Sequence, residues 1–476
     1  MNNKPRRRMV FALSLTPTNG ISKFAKLFFT SRTGKIISYL LILFALAKGA
    51  VAAESPHRLT LQESMAIALQ KSVTLHAARE GVTEAEARQK EAFSGFFPKI
   101  GTSYYYTRMN PAPFFNFPGF PPLVAPGTIV TGTNNNYYWT LELRQTLFAG
   151  GNLTAGYEIG RLGAVLARSA EEIAQLEVIK EVKIAYFQIL KAQKLLLVAE
   201  QTVASLLGHR NQAQQFYDHG LIPKNDFLAA EVELASGRQL LLRAQNNLEL
   251  AKAQFNILLR REINFYVELE DVLAYRPLGK TWDDCLKTGL ENRPEIRFSA
   301  LQVKQAQEIV KQRRSEFYPQ LDFLGNYTRS GDEADVSGSA FKGQENWYVT
   351  VIARWNIWEG GRSQNSVAAG LSRERQALDA SQSVRDRIMV ELKRAFLLVQ
   401  EAEQQIPTAQ TALAQAEENF RITEERYREQ VARATEVLDA QTILTRAQSD
   451  YYNALGDYHI NLAGLERAMG SGLPPQ

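Results

Sequence analysis

Cysteine is nearly absent: Cys285 is the only one in 476 residues. A lone thiol excludes an intrachain disulfide framework and any multi-cysteine metal cluster. Histidine is scarce too. His57, His76, His209, His219 and His459 are scattered, with no paired metal-ligand spacing. No phosphate loop, dinucleotide glycine pattern or nucleophile elbow occurs, so no catalytic, cofactor-binding or metal residue is assigned. Acidic residues are missing from positions 1–53, which hold nine Lys and Arg. Long apolar runs are missing as well: the stretch Ile36 to Ala47 falls short of the ~20 residues that cross a bilayer as a helix.

What positions 1–53 do contain is a basic stretch, that short apolar core and the small residues Gly49-Ala50-Val51-Ala52-Ala53. This layout predicts a secretory signal peptide, cleaved after Ala52 or Ala53, with an uncleaved anchor as the rival reading. Taking its nine cations from the 55 Lys and Arg leaves 46 against 50 acids, about −4 in place of +5. The basic balance therefore points to export and not to a nucleic-acid partner.

The remainder is a tandem repeat. Leu69, Lys90, Pro98, Tyr106 and Arg108 recur as Leu290, Lys311, Pro319, Tyr327 and Arg329, at a constant offset of 221. Arg144, Gly150, Gly151, Tyr217 and Leu228 recur as Arg354, Gly360, Gly361, Tyr427 and Leu438, at an offset of 210. The reading divides the chain into a leader (1–53), repeat one (54–261), a linking segment (262–280), repeat two (281–470) and a tail (471–476). Each repeat predicts a short helix (Leu61–Lys71; Trp282–Asn292) and a second helix running to Phe96 or Phe317. A hairpin and a very long helix after a Gly-Gly pair follow. Asn152, Thr154 and Ser363 are candidate caps. Thr154 to Asp218 would span roughly 95 Å. A break at His219 to Pro223 reverses the chain, and a softer one is expected at Gln430 to Arg433. Such helices bury only a stripe and need neighbours.

Strands are expected over Lys99–Arg108, Asn136–Leu147, Gln320–Arg329 and Asn346–Ile357. Tyr137, Trp139, Leu141 and Leu143 alternate with Tyr138, Thr140, Glu142 and Arg144, and Trp347 to Trp355 repeats the pattern. An apolar face, a polar face and terminal aromatics suit a transmembrane barrel as well as a half-buried sheet. Two hairpins cannot close a barrel, and an open edge in lipid leaves amides unpaired, so spanning strands require an oligomer. The segment 110–135, rich in Phe and Pro, reads as a surface loop, with packing over the barrel mouth or against lipid headgroups as alternatives.

The order, spacing and duplication of Leu59-Thr60-Leu61, Arg293-Pro294-Glu295, Leu147-Phe148-Ala149-Gly150-Gly151, Ile357-Trp358-Glu359-Gly360-Gly361-Arg362 and the two break segments resemble the TolC-like outer-membrane efflux proteins. The resemblance implies a mainly α protomer with long helical hairpins and two β-hairpins, trimerising into a 12-stranded β-barrel on an α-helical barrel. It implies residence in the outer membrane of a Gram-negative bacterium and a non-enzymatic duct for efflux or type I secretion. Expected partners are two further copies, outer-membrane lipid, a periplasmic adaptor and an inner-membrane pump of RND, ABC or MFS type. Glu436 and Asp439 match acids lining the closed periplasmic tip. Three copies would stack carboxylates, attracting cations and raising the cost of ionising each. Tyr427, Asp226 and, one residue late, Arg433 match polar links of the gate. Gly220-Leu221 matches the segment read by adaptors, with Gln430-Val431 in its place in repeat two. A periplasmic coiled-coil scaffold without a pore is the alternative function.

Overall fold

The computed structural model describes residues 58–471. The expected signal peptide and positions 472–476 lie outside the described residues. Helix α1 (Leu61–Lys71) opens with Thr60 Oγ1 accepting from the Glu63 amide at 3.2 Å, while Glu63 accepts from the Thr60 amide at 3.0 Å. Helix α2 spans Val73–Ser94. In repeat two, α5 (Trp282–Asn292) opens on the same reciprocal pair, Thr281 with Asp284. Such a box satisfies two otherwise orphaned amides. Helix α6 (Pro294–Arg314) starts on Pro294, where the missing N–H costs nothing. One turn of 3-10 helix, Ser315–Phe317, extends it towards Pro319.

The sheet contains β1 (Lys99–Arg108), β4 (Asn135–Ala149), β5 (Gln320–Gly331) and β6 (Glu345–Arg354), in that order, all antiparallel. The segment 110–135 holds a hairpin of its own that the sequence reading missed, β2 (Phe114–Phe117) with β3 (Gly127–Val130). The expected strand over 346–357 stops at Arg354. Its partner there is Gln320, and the preceding Pro319 has no N–H with which to continue the ladder.

Helix α3 (Asn152–Asp218) and helix α7 (Arg362–Arg428) each have 67 residues, about 100 Å of axis. Their returns, α4 (Lys224–Leu258) and α8 (Ala434–Ala468), each have 35. The expected side-chain caps are not used. Gly151 and Gly361 occupy the cap positions at φ +90° and +83°, a region glycine enters freely. Thr154 instead donates back to the Gly151 carbonyl, Asn152 accepts from Gln312, and Ser363 donates to Glu359.

The second break is no softer than the first. Gly220 sits at φ +74° and Gln430 at +60°. Their amides donate to Tyr217 and Tyr427 at 2.8 and 3.0 Å, and those of Leu221 and Val431 to Phe216 and Arg426, both at 2.8 Å. One left-handed residue closes this helix end, and Gln430 adopts that conformation although it carries a Cβ.

The main core gathers where α1, α5 and the segment 262–280 wrap the long helices. Tyr186, fully buried, donates to the carbonyls of Leu59 and Glu270 at 3.1 and 2.7 Å. Tyr458 donates to that of Arg276 at 2.5 Å. Cys285 is buried in the same cluster, as a small apolar side chain. Beside it, Arg293 bonds Glu295, Glu391 and the Ala468 carbonyl, and Arg467 bonds Glu295 and Glu177. The Arg293-Pro294-Glu295 motif is thus a clamp joining α6, α7, α8 and α3.

Candidate functional site: the helical tip and the sheet

The tip is built from two equivalent turns. Tyr427, on the last turn of α7, is 2% exposed and clusters with Ala434 and Val437 of α8 and with Phe216 of α3. The His209 ring of α3 lies 4.9 Å from the Tyr427 ring. His209 was read only as one of five scattered histidines, and nothing in its local sequence marks it. A cleft of about 320 Å³ beside it is lined by His209, Glu424, Arg428 and Gln441, among others. Burial pushes the Tyr427 phenol up, and the Asp226 carboxylate pushes it further. Within one protomer no hydrogen bond joins the two, and the Tyr427 hydroxyl has no partner.

Asp226 and Glu436 occupy the same place in the two repeats, the third residue of a return helix. An acid there meets the positive end of the helix dipole. Their partners differ for a covalent reason. Glu436 accepts from the Arg433 amide at 3.2 Å. The residue equivalent to Arg433 in repeat one is Pro223, which has no N–H to offer. Asp226 accepts instead from Asn225 at 3.1 Å and remains available to Tyr427. The 210-residue offset was enough to find this equivalence.

Glu436 also lies 3.9 Å from Arg426. Asp439 is exposed on the same side of α8, between buried Leu438 and Ala440. Among the described residues, Asp226 and Arg433 form no ion pair within one protomer. Leu221 and Val431 project from the turns at 52% and 68% exposure, so both tips offer an apolar side chain to solvent. Tyr217 stacks on Phe227, and Arg210 lies over Phe227 while pairing with Glu231 at 3.0 Å.

At the other end, one face of the sheet carries Trp139, Leu141, Leu143, Trp347, Val349 and Val351; the other carries Thr140, Asn326 and Thr328. Val349, Val351 and Trp347 are 61–69% exposed. Aromatics stand at both ends, Tyr104, Tyr106 and Trp347 near the hairpin loops and Trp355 and Trp358 at the base. Among the described residues, no helix is long and apolar enough to cross a membrane, and no cluster of three or more His, Cys, Asp or Glu could hold a metal ion.

A strand set with a lipid-type face, mounted on helical hairpins about 100 Å long, defines a subunit of an outer-membrane channel. The chain belongs to the outer membrane efflux protein family, whose model matches residues 65–259 and 286–471. It is thus a transport protein of the Gram-negative outer membrane, with helices extending into the periplasm, and not an enzyme. Its fold resembles the Campylobacter jejuni CmeC outer membrane channel (TM-score 0.75, 19% identity, covering 86% of this chain and 85% of that one). It also resembles the outer membrane protein VceC of Vibrio cholerae (0.74, 18%, 87% and 96%). A third match is the open state of the Neisseria gonorrhoeae MtrE outer membrane channel (0.69, 19%, 87% and 89%). No curated protein sequence matches significantly.

Proposed function

We propose that three copies close a 12-stranded barrel on a helical tunnel and serve as the passive duct of a tripartite efflux or type I secretion system. In this reading an inner-membrane pump supplies the energy, and an adaptor opens the periplasmic tip by engaging Gly220-Leu221 and Gln430-Val431. Glu436 and Asp439 line the narrow point, while Tyr427, Asp226 and Arg433 hold it shut. With no bond from Asp226 to Arg433 inside a protomer, that link runs between protomers.

The observation that carries the proposal is the sheet itself. β1 and β6 each have one partner strand and one open edge. Open edges in lipid leave amides unsatisfied, and three four-stranded sheets joined edge to edge remove them all. Cysteines on β1 and β6 facing across the proposed seam should oxidise to a covalent trimer that conducts in a planar bilayer. Trimers that never pass current, even with Glu436→Gln and Asp439→Asn, would favour the pore-free scaffold.

A further inference from the structure

The base of the sheet carries more positive charge than its own acids absorb. Lys99 of β1 lies directly opposite Arg144 of β4, a placement in which like charges repel. Arg144 and Arg354 both approach one oxygen of Asp322, at 3.7 and 2.5 Å. Asp322 is 1% exposed, and its other oxygen already accepts from Thr146 at 2.9 Å and Gln320 at 3.2 Å. Three hydrogen bonds, from Arg354, Thr146 and Gln320, take up most of its acceptor sites. Glu142 shares the face one position further out, but among the described residues it makes no ion pair. Two arginines thus share one carboxylate, and Lys99, opposite Arg144, has no ion-pair partner among the described residues.

Strand register puts all four groups on one face. Lys99 pairs with Arg144, Asp322 pairs with Thr146 two residues on, and Arg354 pairs with Gln320 two residues before Asp322. This is the face of Thr140, Asn326 and Thr328, opposite the Trp and Val surface. In a closed barrel it lines the lumen. Arg144 and Arg354 are 46% and 51% exposed, so their outer N–H groups are open to a solute.

We infer that Arg144 and Arg354, anchored on Asp322, and Lys99 beside Arg144 form a collar at the base of the barrel lumen that binds polyvalent anions. The inference rests on the trimeric barrel proposed above. Buried Asp322 fixes the two guanidinium groups in position, and forks of this kind suit phosphate and carboxylate oxygens. Even with Glu142 counted, each protomer leaves one uncompensated cation, and three protomers make a ring. The duct then has opposite charge at its two constrictions, acidic at the tip and basic where the tunnel meets the barrel.

The test uses full-length trimers and tripolyphosphate as probe. Added on the barrel side of a planar bilayer it should block the current, less so at high salt. Lys99→Gln, which breaks no ion pair, should raise the half-blocking concentration about tenfold. Arg144→Gln should do the same without stranding a buried acid, because Arg354, Thr146 and Gln320 still pair Asp322. Glu436→Gln with Asp439→Asn should leave the block unchanged. Calorimetry on detergent-solubilised trimers measures binding without conduction. Binding without current keeps the collar and removes the duct. Current with neither block nor binding keeps the duct and overturns the collar. So does block that survives both collar variants, or that depends on anionic lipid in the bilayer, since the cations would then face headgroup phosphates.

Discussion

His209 and Tyr427 pack ring against ring across α3 and α7, and each keeps a buried polar atom, Nε2 and the hydroxyl, without a partner. Two unsatisfied groups at one contact make this the least comfortable part of the tip. Burial drives the His209 pKa down, opposed by the Glu424 charge. The folded tip therefore holds His209 neutral, while the unfolded chain takes up a proton near pH 6.5. Stability rises with pH wherever the unfolded state binds more protons. The tip should be fully stable above that value and should loosen as pH falls below it. Hydrogen-exchange protection of residues 205–235, corrected for intrinsic exchange, should drop at acid pH. His209→Phe should abolish the drop. His459, also pushed down by burial, remains to titrate in the equatorial core.

The left-handed residues set a second expectation. A Cβ added at Gly220 meets open space, so Gly220→Ala should cost only its backbone strain, about 1 kcal/mol. Gln430→Gly removes the same strain and should stabilise its turn by a similar amount, less the entropy that glycine brings to the unfolded chain. Local exchange at the two turns would show the opposite signs. Equal loss at both would mean that Gln430 makes a contact worth more than its strain.

The clamp at the equator predicts a larger effect. Arg293 is 5% exposed and bonds two acids and a helix-end carbonyl. Arg293→Met leaves the half-buried Glu295 with only Arg467 and takes away the partner of Glu391, which should cost about 1.5–3 kcal/mol in a denaturation midpoint. Burial by itself would raise the Glu295 pKa, but Arg293 and Arg467 hold it below the usual value. A depressed carboxyl contributes stability that is present above its unfolded value, near 4.3, and lost as pH falls through the folded one. The variant should therefore show less acid sensitivity between pH 5 and 3 than the parent.

At the gate, Asp226→Ala and Arg433→Ala should each raise conductance and antibiotic leakage. If both left them unchanged, the tie between them would be excluded. Glu436→Gln with Asp439→Asn should weaken cation preference, with Asp439 the larger contributor because Glu436 is partly engaged by the Arg433 amide and Arg426.

Much of this architecture was open to reading. The bounds of α1, β1 and α5 match those expected, and Pro98 just before β1 is a local signal. The duplicated offsets located the tips. Other features were hidden because they depend on backbone conformation or on distant residues. Gln430 offers no sign that it will adopt a glycine-like φ. The cap positions moved because a left-handed glycine places the side chains of Asn152 and Ser363 past the helix start. The β2–β3 hairpin lies among prolines that argue against pairing. The partnership of His209 with Tyr427 spans 218 positions of sequence. At the tip, the equivalence of Asp226 and Glu436 was legible in the repeat, while the difference between them came from the absent N–H of Pro223.

The equal lengths of α3 and α7, and of α4 and α8, also restrict how this chain can vary. A residue inserted into one long helix would rotate everything beyond it by about 100° and carry it about 1.5 Å along the axis. Asp226 would swing away from Tyr427, and Leu221 and Val431 would no longer stand level. Changes in reach are therefore tolerable only when made in both repeats at once and in steps that restore the buried stripe. The reach of the helical hairpins is thus fixed jointly by the two repeats.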